Sequence, residues 1–205
     1  MAKKLSMIRT FNNFAPAALT DLVEQICKDT NFPYTIGTES FGTVTYDPSS
    51  LMEKDYRVVD CQQFVHILAH NGIPYSPYFH LFSNLIECVI EKYFPEETDL
   101  GIIRSKVNIQ PQQKIVDKDV FFNPPHIDPG GIGTIVALYY VEDSDGDTFF
   151  FKKNGEISRR ISPQKGKLVL FDGSIYHASS PPQDHKSRIV INTNIDKSPD
   201  ILKIR

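Results

Sequence analysis

The run Phe121-Phe122-Asn123-Pro124-Pro125-His126-Ile127-Asp128-Pro129-Gly130 holds two side chains whose types and spacing suit metal chemistry. His126 and Asp128 lie two apart at the end of a strand-like stretch, and a strand turns alternate residues to one face. One imidazole and one carboxylate then converge on a common point. A second histidine would complete a facial two-histidine, one-carboxylate set, which suits Fe(II) and leaves coordination positions open.

The chain has six histidines from which that ligand can come. His66 and His70 are four apart on an expected helix, but Ile67-Leu68-Ala69 between them lacks the glutamate of the zinc-protease pattern. They read as partly buried or surface histidines. His80 and His185 sit beside helix-start and turn signals and read the same way. His177 differs, because it ends the late strand Phe171-Asp172-Gly173-Ser174-Ile175-Tyr176-His177. Downstream, Pro181-Pro182-Gln183-Asp184 reads as a hairpin connection, and a turn centred between 182 and 183 sets residue 177 opposite Arg188. Directly opposed side chains stand close enough to act on one small ligand.

In the strand from 188 to 195, Arg188, Val190, Asn192 and Asn194 share one face, and Ile189, Ile191 and Ile195 share the other. The polar face is expected to line a cavity and the isoleucine face to pack on helices. A guanidinium inside a barrel calls for a planar carboxylate, from the protein or from a carboxylated ligand.

These side chains need a scaffold. Leu19, Leu22, Val23 and Ile26 recur at helical spacing after Pro16, which predicts a helix ending near Asp29 or Thr30. Residues 31–59 read as irregular strand or loop. A second helix is expected from Asp60, with Gln63 in a capping box, to a stop at Asn71-Gly72. A third begins at Ser76-Pro77, carries the stripe Phe79, Phe82, Leu85, Ile86, Val89, Ile90 and Tyr93, and ends at Pro95. Beyond residue 100 the period changes to 2. Eight short strands are expected, over 103–109, 116–122, 134–141, 148–152, 156–161, 167–171, 174–179 and 188–195, separated by Gly, Pro and Asp turn signals. That pattern predicts a mainly β protein with N-terminal helices, a double-stranded β-helix (jelly roll) with the helices packed on one sheet. The expected organisation is one domain, with helical support over 1–100, the jelly-roll core over 101–196 and a tail over 197–205.

Composition agrees with this outline. The chain has 205 residues, 40% of them hydrophobic and 23% charged, as expected of a soluble globular domain with a full core. A formal net charge of −3 gives no basic stripe for nucleic acid. Cys27, Cys61 and Cys88 are widely spaced and lack a Cys-x-x-Cys pair, which predicts buried free thiols in a reducing compartment. Met1-Ala2-Lys3-Lys4 leads into no apolar run, and no stretch has transmembrane length, so neither signal peptide nor membrane partner is expected.

His126-x-Asp128, His177 and Arg188, in that order in a strand-rich half, resemble the Fe(II)/2-oxoglutarate-dependent oxygenases, and most closely their prolyl-4-hydroxylase-like branch. The likeness covers roughly residues 103–196. It includes Ala137-Leu138-Tyr139-Tyr140-Val141 before an Asp/Gly turn and Lys167-Leu168-Val169-Leu170-Phe171 before the distal histidine. The compact build is similar to small oxygenases of tailed bacteriophages and their bacterial hosts, which implies the cytoplasm of a bacterial or phage-infected cell.

The resemblance implies that His126, Asp128 and His177 bind Fe(II). It further implies that 2-oxoglutarate chelates the iron and pairs its far carboxylate with Arg188 and the Tyr140 hydroxyl, and that O2 takes the remaining position. Ascorbate would be an accompanying reductant. Succinate and CO2 would be released as an aliphatic carbon is hydroxylated, with a prolyl residue of a protein or peptide as the leading substrate and a small molecule or nucleic acid as the alternative. Two positions depart from relatives. Val190 stands where many carry serine or threonine, and Asn192 could supply the missing hydrogen bond. Position 194 is Asn where the nucleic-acid alkylation-repair branch has a second arginine, so no stable nucleic-acid partner is expected.

From the residues alone, a cupin-like metal-dependent hydrolase or isomerase and a carboxylate-binding module stay open. The acidic run Glu142-Asp143-Ser144-Asp145-Gly146-Asp147 has Thr148 and Asn154 where a calcium loop needs other residues, and reads as a solvated hairpin turn. Tyr139 reads as core against a helix, and Phe149, Phe150 and Phe151 as barrel packing. Residues 110–125 are the expected substrate-facing loop.

Overall fold

The computed structural model describes residues 8–38, 44–45, 57–93, 100–114, 121–128, 131, 133–197 and 202–203. The first half holds β1 (Arg9–Phe11), α1 (Ala17–Cys27), β2 (Thr35–Thr38), β3 (Val44–Thr45), β4 (Arg57–Val58), β5 (Gln62–His70), β6 (Ile73–Pro74) and α2 (Phe79–Tyr93). Then follow β7 (Leu100–Pro111), β8 (Phe121–Phe122), β9 (His126–Ile127), β10 (Ile135–Tyr140), β11 (Thr148–Phe151) and β12 (Ile157–Ile161). The chain continues through β13 (Leu168–Asp172), β14 (His177–Ser179), β15 (Ser187–Lys197) and β16 (Leu202–Lys203).

Two sheets face each other in a jelly roll. The larger runs β1-β13-β10-β15-β7-β5-β2, with β6 added on β5 and β16 on β7; the smaller runs β12-β11-β14-β9-β3. A short parallel pair, β4 with β8, stands apart from both. Strict alternation sorts the side chains. On β10, Ala137 and Tyr139 join Ile189, Ile191 and Ile195 of β15 and the buried faces of α1 and α2 in one core. Val136, Leu138 and Tyr140 turn the other way and meet Phe150, Val169, Phe171 and Val190 between the sheets. Phe122, Phe149, Phe151 and Ala178 form a third cluster.

The isoleucine face of β15 therefore packs on the helices as expected. Tyr139 does too, its hydroxyl donating to Thr20 Oγ1 of α1 at 3.1 Å. On α2 the stripe Phe79, Phe82, Leu85, Ile86 and Val89 is buried, while Leu22 of the α1 stripe is 43% exposed.

Four expectations fail. The helix expected over 60–72 is strand β5, paired with β2 on one side and β7 on the other. Phe64, Val65 and Leu68 fit a helical spacing, but sheet partners on both edges override that local signal. Asn71-Gly72 does not stop a helix. With φ of 49° and 71° it forms the two-residue turn that sets His70 opposite Ile73. His66 is thus a buried strand histidine, held by Pro33 O at 2.9 Å and Ser76 Oγ at 2.7 Å.

The second failure is the pairing of 177 with 188, since β14 and β15 belong to different sheets. His177 pairs with His126 and Phe150, and Arg188 with Gln110. The third is the solvated acidic turn: Glu142, Ser144 and Asp147 are buried. Glu142 accepts from Ser187 Oγ at 2.7 Å and lies 2.9 Å from Lys28 Nζ, and Asp147 pairs with Arg160. The fourth is the cysteines. Cys27 and Cys61 are buried, but Cys88 is exposed. Residues 115–120 and 129–130, with much of the expected substrate loop, lie outside the described residues.

Candidate metal centre

β9 and β14 are adjacent in the smaller sheet, and their one ladder pair is His126 with His177. The two rings lie 4.5 Å apart between centroids. Asp128 follows β9 by one residue and turns to the same side as His126. Ligand atoms of His126, Asp128 and His177 all lie within 4.8 Å of one another, and the three side chains are buried. Among the described residues this is the one cluster of histidine, cysteine or carboxylate able to hold a metal ion.

The ring nitrogens are already sorted. His126 Nδ1 donates to Pro124 O at 3.1 Å, and His177 Nδ1 donates to Ile175 O at 2.9 Å. A carbonyl only accepts, so each Nδ1 carries a proton, and Nε2 is the ring nitrogen that would take a metal. Phe171 meets the His177 ring edge-on at 4.8 Å between centroids.

Asp128 is fixed through both oxygens. Oδ1 accepts from Arg104 Nη2 at 2.9 Å, and Oδ2 accepts from Asn192 Nδ2 at 3.3 Å. Burial pushes its pKa up, but His177, Arg104, His126 and Lys106 outweigh burial and hold the carboxyl well below the usual range. Two imidazoles and a carboxylate, with no thiolate, suit a divalent ion such as Fe(II).

The triad opens on a cavity lined by Asn108, His126, Leu138, Thr148, His177, Ser179, Arg188, Val190 and Asn192. Arg188, 3% exposed, donates from Nε to Gly146 O at 2.7 Å and from Nη2 to Thr148 Oγ1 at 2.8 Å. Its Nη1 donates to Gln110 Oε1 at 3.3 Å, and Gln110 Nε2 donates to Ser179 Oγ at 2.8 Å. The Tyr140 hydroxyl also donates to Thr148 Oγ1, at 2.7 Å. Thr148 thus accepts from both Arg188 and Tyr140, so its own proton can be given to a ligand. Burial raises the Tyr140 pKa against the lowering by Arg188 and Thr148, and the phenol stays protonated.

The six residues picked from sequence sort as follows. His126, Asp128, His177, Arg188 and Asn192 meet at this site, with Asn192 bonded to Asp128, and Tyr140 reaches the site through Thr148. Buried Asn108 Oδ1 and Asn192 Oδ1 have no hydrogen-bond partner, so the cavity wall offers polar atoms to a ligand. Arg104, Asn108, Gln110 and Thr148 escaped the sequence reading. For the first three, a signal existed in the polar residues at every second position from 104 to 110.

The model of the 2OG-Fe(II) oxygenase superfamily matches residues 114–196. That match lies in the strand-rich part of the chain and spans His126, Asp128, His177 and Arg188. Solved structures of such oxygenases share the fold across nearly the whole chain. One is an oxidoreductase of the 2OG-Fe(II) oxygenase family from Burkholderia pseudomallei. It is 10% identical, with a TM-score of 0.66, over 96% of this chain and 88% of that one. A Pseudomonas putida prolyl-4-hydroxylase is 13% identical, with a TM-score of 0.56, over 96% and 95%. A prolyl hydroxylase from Trichoplax adhaerens, in complex with a hypoxia inducible factor oxygen degradation domain peptide, is 15% identical, with a TM-score of 0.63, over 93% and 83%. No curated protein matches the chain in sequence. Among the described residues, no helix is long and apolar enough to cross a membrane.

Proposed function

We propose that the protein is a dioxygenase, dependent on Fe(II) and 2-oxoglutarate, that hydroxylates an aliphatic carbon. His126, Asp128 and His177 would hold the iron. Arg188 and Thr148 would receive the far carboxylate of 2-oxoglutarate, and Tyr140 would fix the Thr148 hydroxyl. The observation that carries this reading is one cavity lined by both histidines of the three-ligand cluster and by a buried guanidinium. A hydrolytic metal site has no use for that guanidinium.

Iron held by His126, Asp128 and His177 would supply the redox chemistry, with dioxygen as oxidant and 2-oxoglutarate as the cosubstrate converted to succinate and carbon dioxide. The chain's own residues do the rest. The Nδ1 bonds orient both imidazoles, Arg188 and Thr148 orient the cosubstrate, and Leu138 and Val190 keep the cavity wall between them apolar.

For the substrate, the reading favours a prolyl residue of a protein. The prolyl hydroxylase folds named above and the Gln- and Pro-rich character of residues 110–125 support it. The test is a mass-spectrometric screen of iron-loaded protein against proline-containing peptides, host proteins and host metabolites. Gain of one oxygen atom on a prolyl residue is expected. Oxygen gained only by small molecules would overturn the prolyl assignment and leave the oxygenase reading standing.

A further inference from the structure

A second guanidinium reaches the triad, and the roles given above do not use it. Arg104 lies on β7, 7% exposed. Its Nη2 donates to Asp128 Oδ1 at 2.9 Å and its Nε to Asn194 Oδ1 at 3.1 Å. Asn194 is fully buried and is the cross-strand partner of Arg104. The guanidinium is held at two points, which its rigid fork permits and an ammonium would not. The other carboxylate oxygen, Oδ2, takes the longer and uncharged bond from Asn192 Nδ2, at 3.3 Å, and is the one that faces His177 Nε2, at 3.7 Å.

We infer that Arg104 confines Asp128 to a single metal-facing oxygen and so keeps coordination positions open for cosubstrate and dioxygen. It is a positioning residue, and the inference rests on the metal reading above. A carboxylate can bind a cation through one oxygen or through both. The second mode would fill a position that a chelating cosubstrate needs. A charge-assisted bond on Oδ1 competes with that mode directly. Asn194, by fixing Nε, keeps the fork aimed.

The test uses the full chain and Mn(II) in place of iron. Calorimetry gives the affinity for Mn(II) alone and then for 2-oxoglutarate on the loaded protein. In Arg104→Gln, Mn(II) is expected to bind at least as tightly as in wild type, because the freed oxygen can join the metal. 2-Oxoglutarate is expected to bind about tenfold more weakly, in the range typical of lost outer-sphere partners. Arg104→Lys should fall between the two proteins. Asn194→Ala should shift in the same direction as Arg104→Gln, by less. If Arg104→Gln fails to fold, the other two variants carry the same comparison.

An arginine that only braces the fold would lose both affinities together or neither. Either pattern, including a 2-oxoglutarate affinity within about twofold of wild type, overturns the inference. Failure of wild type to bind Mn(II), or equal binding by His126→Ala, would instead bring down the metal reading and this inference with it.

Discussion

His177 is the direct cross-strand partner of His126, and Arg188 sits in the opposite sheet, paired with Gln110. Two ligands therefore come from one ladder rung, and the proposed anion clamp comes from the facing wall. Neither histidine can be lost without opening the set to two ligands. His126→Ala and His177→Ala should each weaken Fe(II) binding by more than the roughly hundredfold that loss of an outer hydrogen bond costs. Metal titration of the purified variants checks this. Retained stoichiometric iron in either would contradict it.

Thr148 is the acceptor shared by Arg188 Nη2 and the Tyr140 hydroxyl. Thr148→Val leaves two buried donors without that partner, and a destabilisation of about 1–3 kcal/mol is expected. The same variant should raise the KM for 2-oxoglutarate with less effect on iron binding. Arg188→Ala should raise it further. An unchanged KM in Arg188→Ala would remove that residue from the clamp.

Gly146 is where the backbone passes closest to that clamp. A Cβ added there would lie 2.6 Å from Ser180 O and 2.8 Å from Arg188 Cδ. Gly146→Ala must therefore push Arg188 or the 180–182 backbone aside. The expected outcome is a lower melting temperature together with weaker 2-oxoglutarate binding. A variant with both properties of wild type would contradict the close approach.

Asp145 anchors the neighbouring turn through the backbone N–H groups of Gln183, Asp184 and His185, at 2.9, 2.9 and 3.1 Å. Burial raises its pKa, but these N–H groups and the His185 ring override that and bring it down to about 2. A carboxyl whose folded pKa lies below its unfolded value of about 3.9 contributes stability above that value. The contribution is lost as pH falls through about 2. Asp145→Ala should melt below wild type at neutral pH, and the gap should close as pH drops from about 4 to about 2. A gap that persists at the acid end would contradict the assignment.

Much of this was legible in the residues because the strands alternate cleanly after position 100 and α2 carries an unbroken apolar stripe. Three features were not. β5 was hidden because Phe64, Val65 and Leu68 satisfy helical spacing, and only pairing with β2 and β7 on its edges overrides it. The 177–188 pairing failed because turn arithmetic assumes that sequential strands share a sheet, whereas here the chain crosses from one sheet to the other. His177 and Arg188 still line one cavity, across the barrel and not along a ladder. Burial of the acidic run depended on partners far along the chain, Lys28, Arg160 and Ser187 among them, that no local pattern announces.

The central claim is that one cavity holds iron and 2-oxoglutarate together. Its most direct test is visible absorption of the Fe(II)-loaded protein on adding 2-oxoglutarate without oxygen. A metal-to-ligand charge-transfer band is predicted for wild type and for Thr148→Val at higher cosubstrate, and none for Asp128→Ala. Wild-type protein carrying one iron per chain and showing no such band would contradict the account.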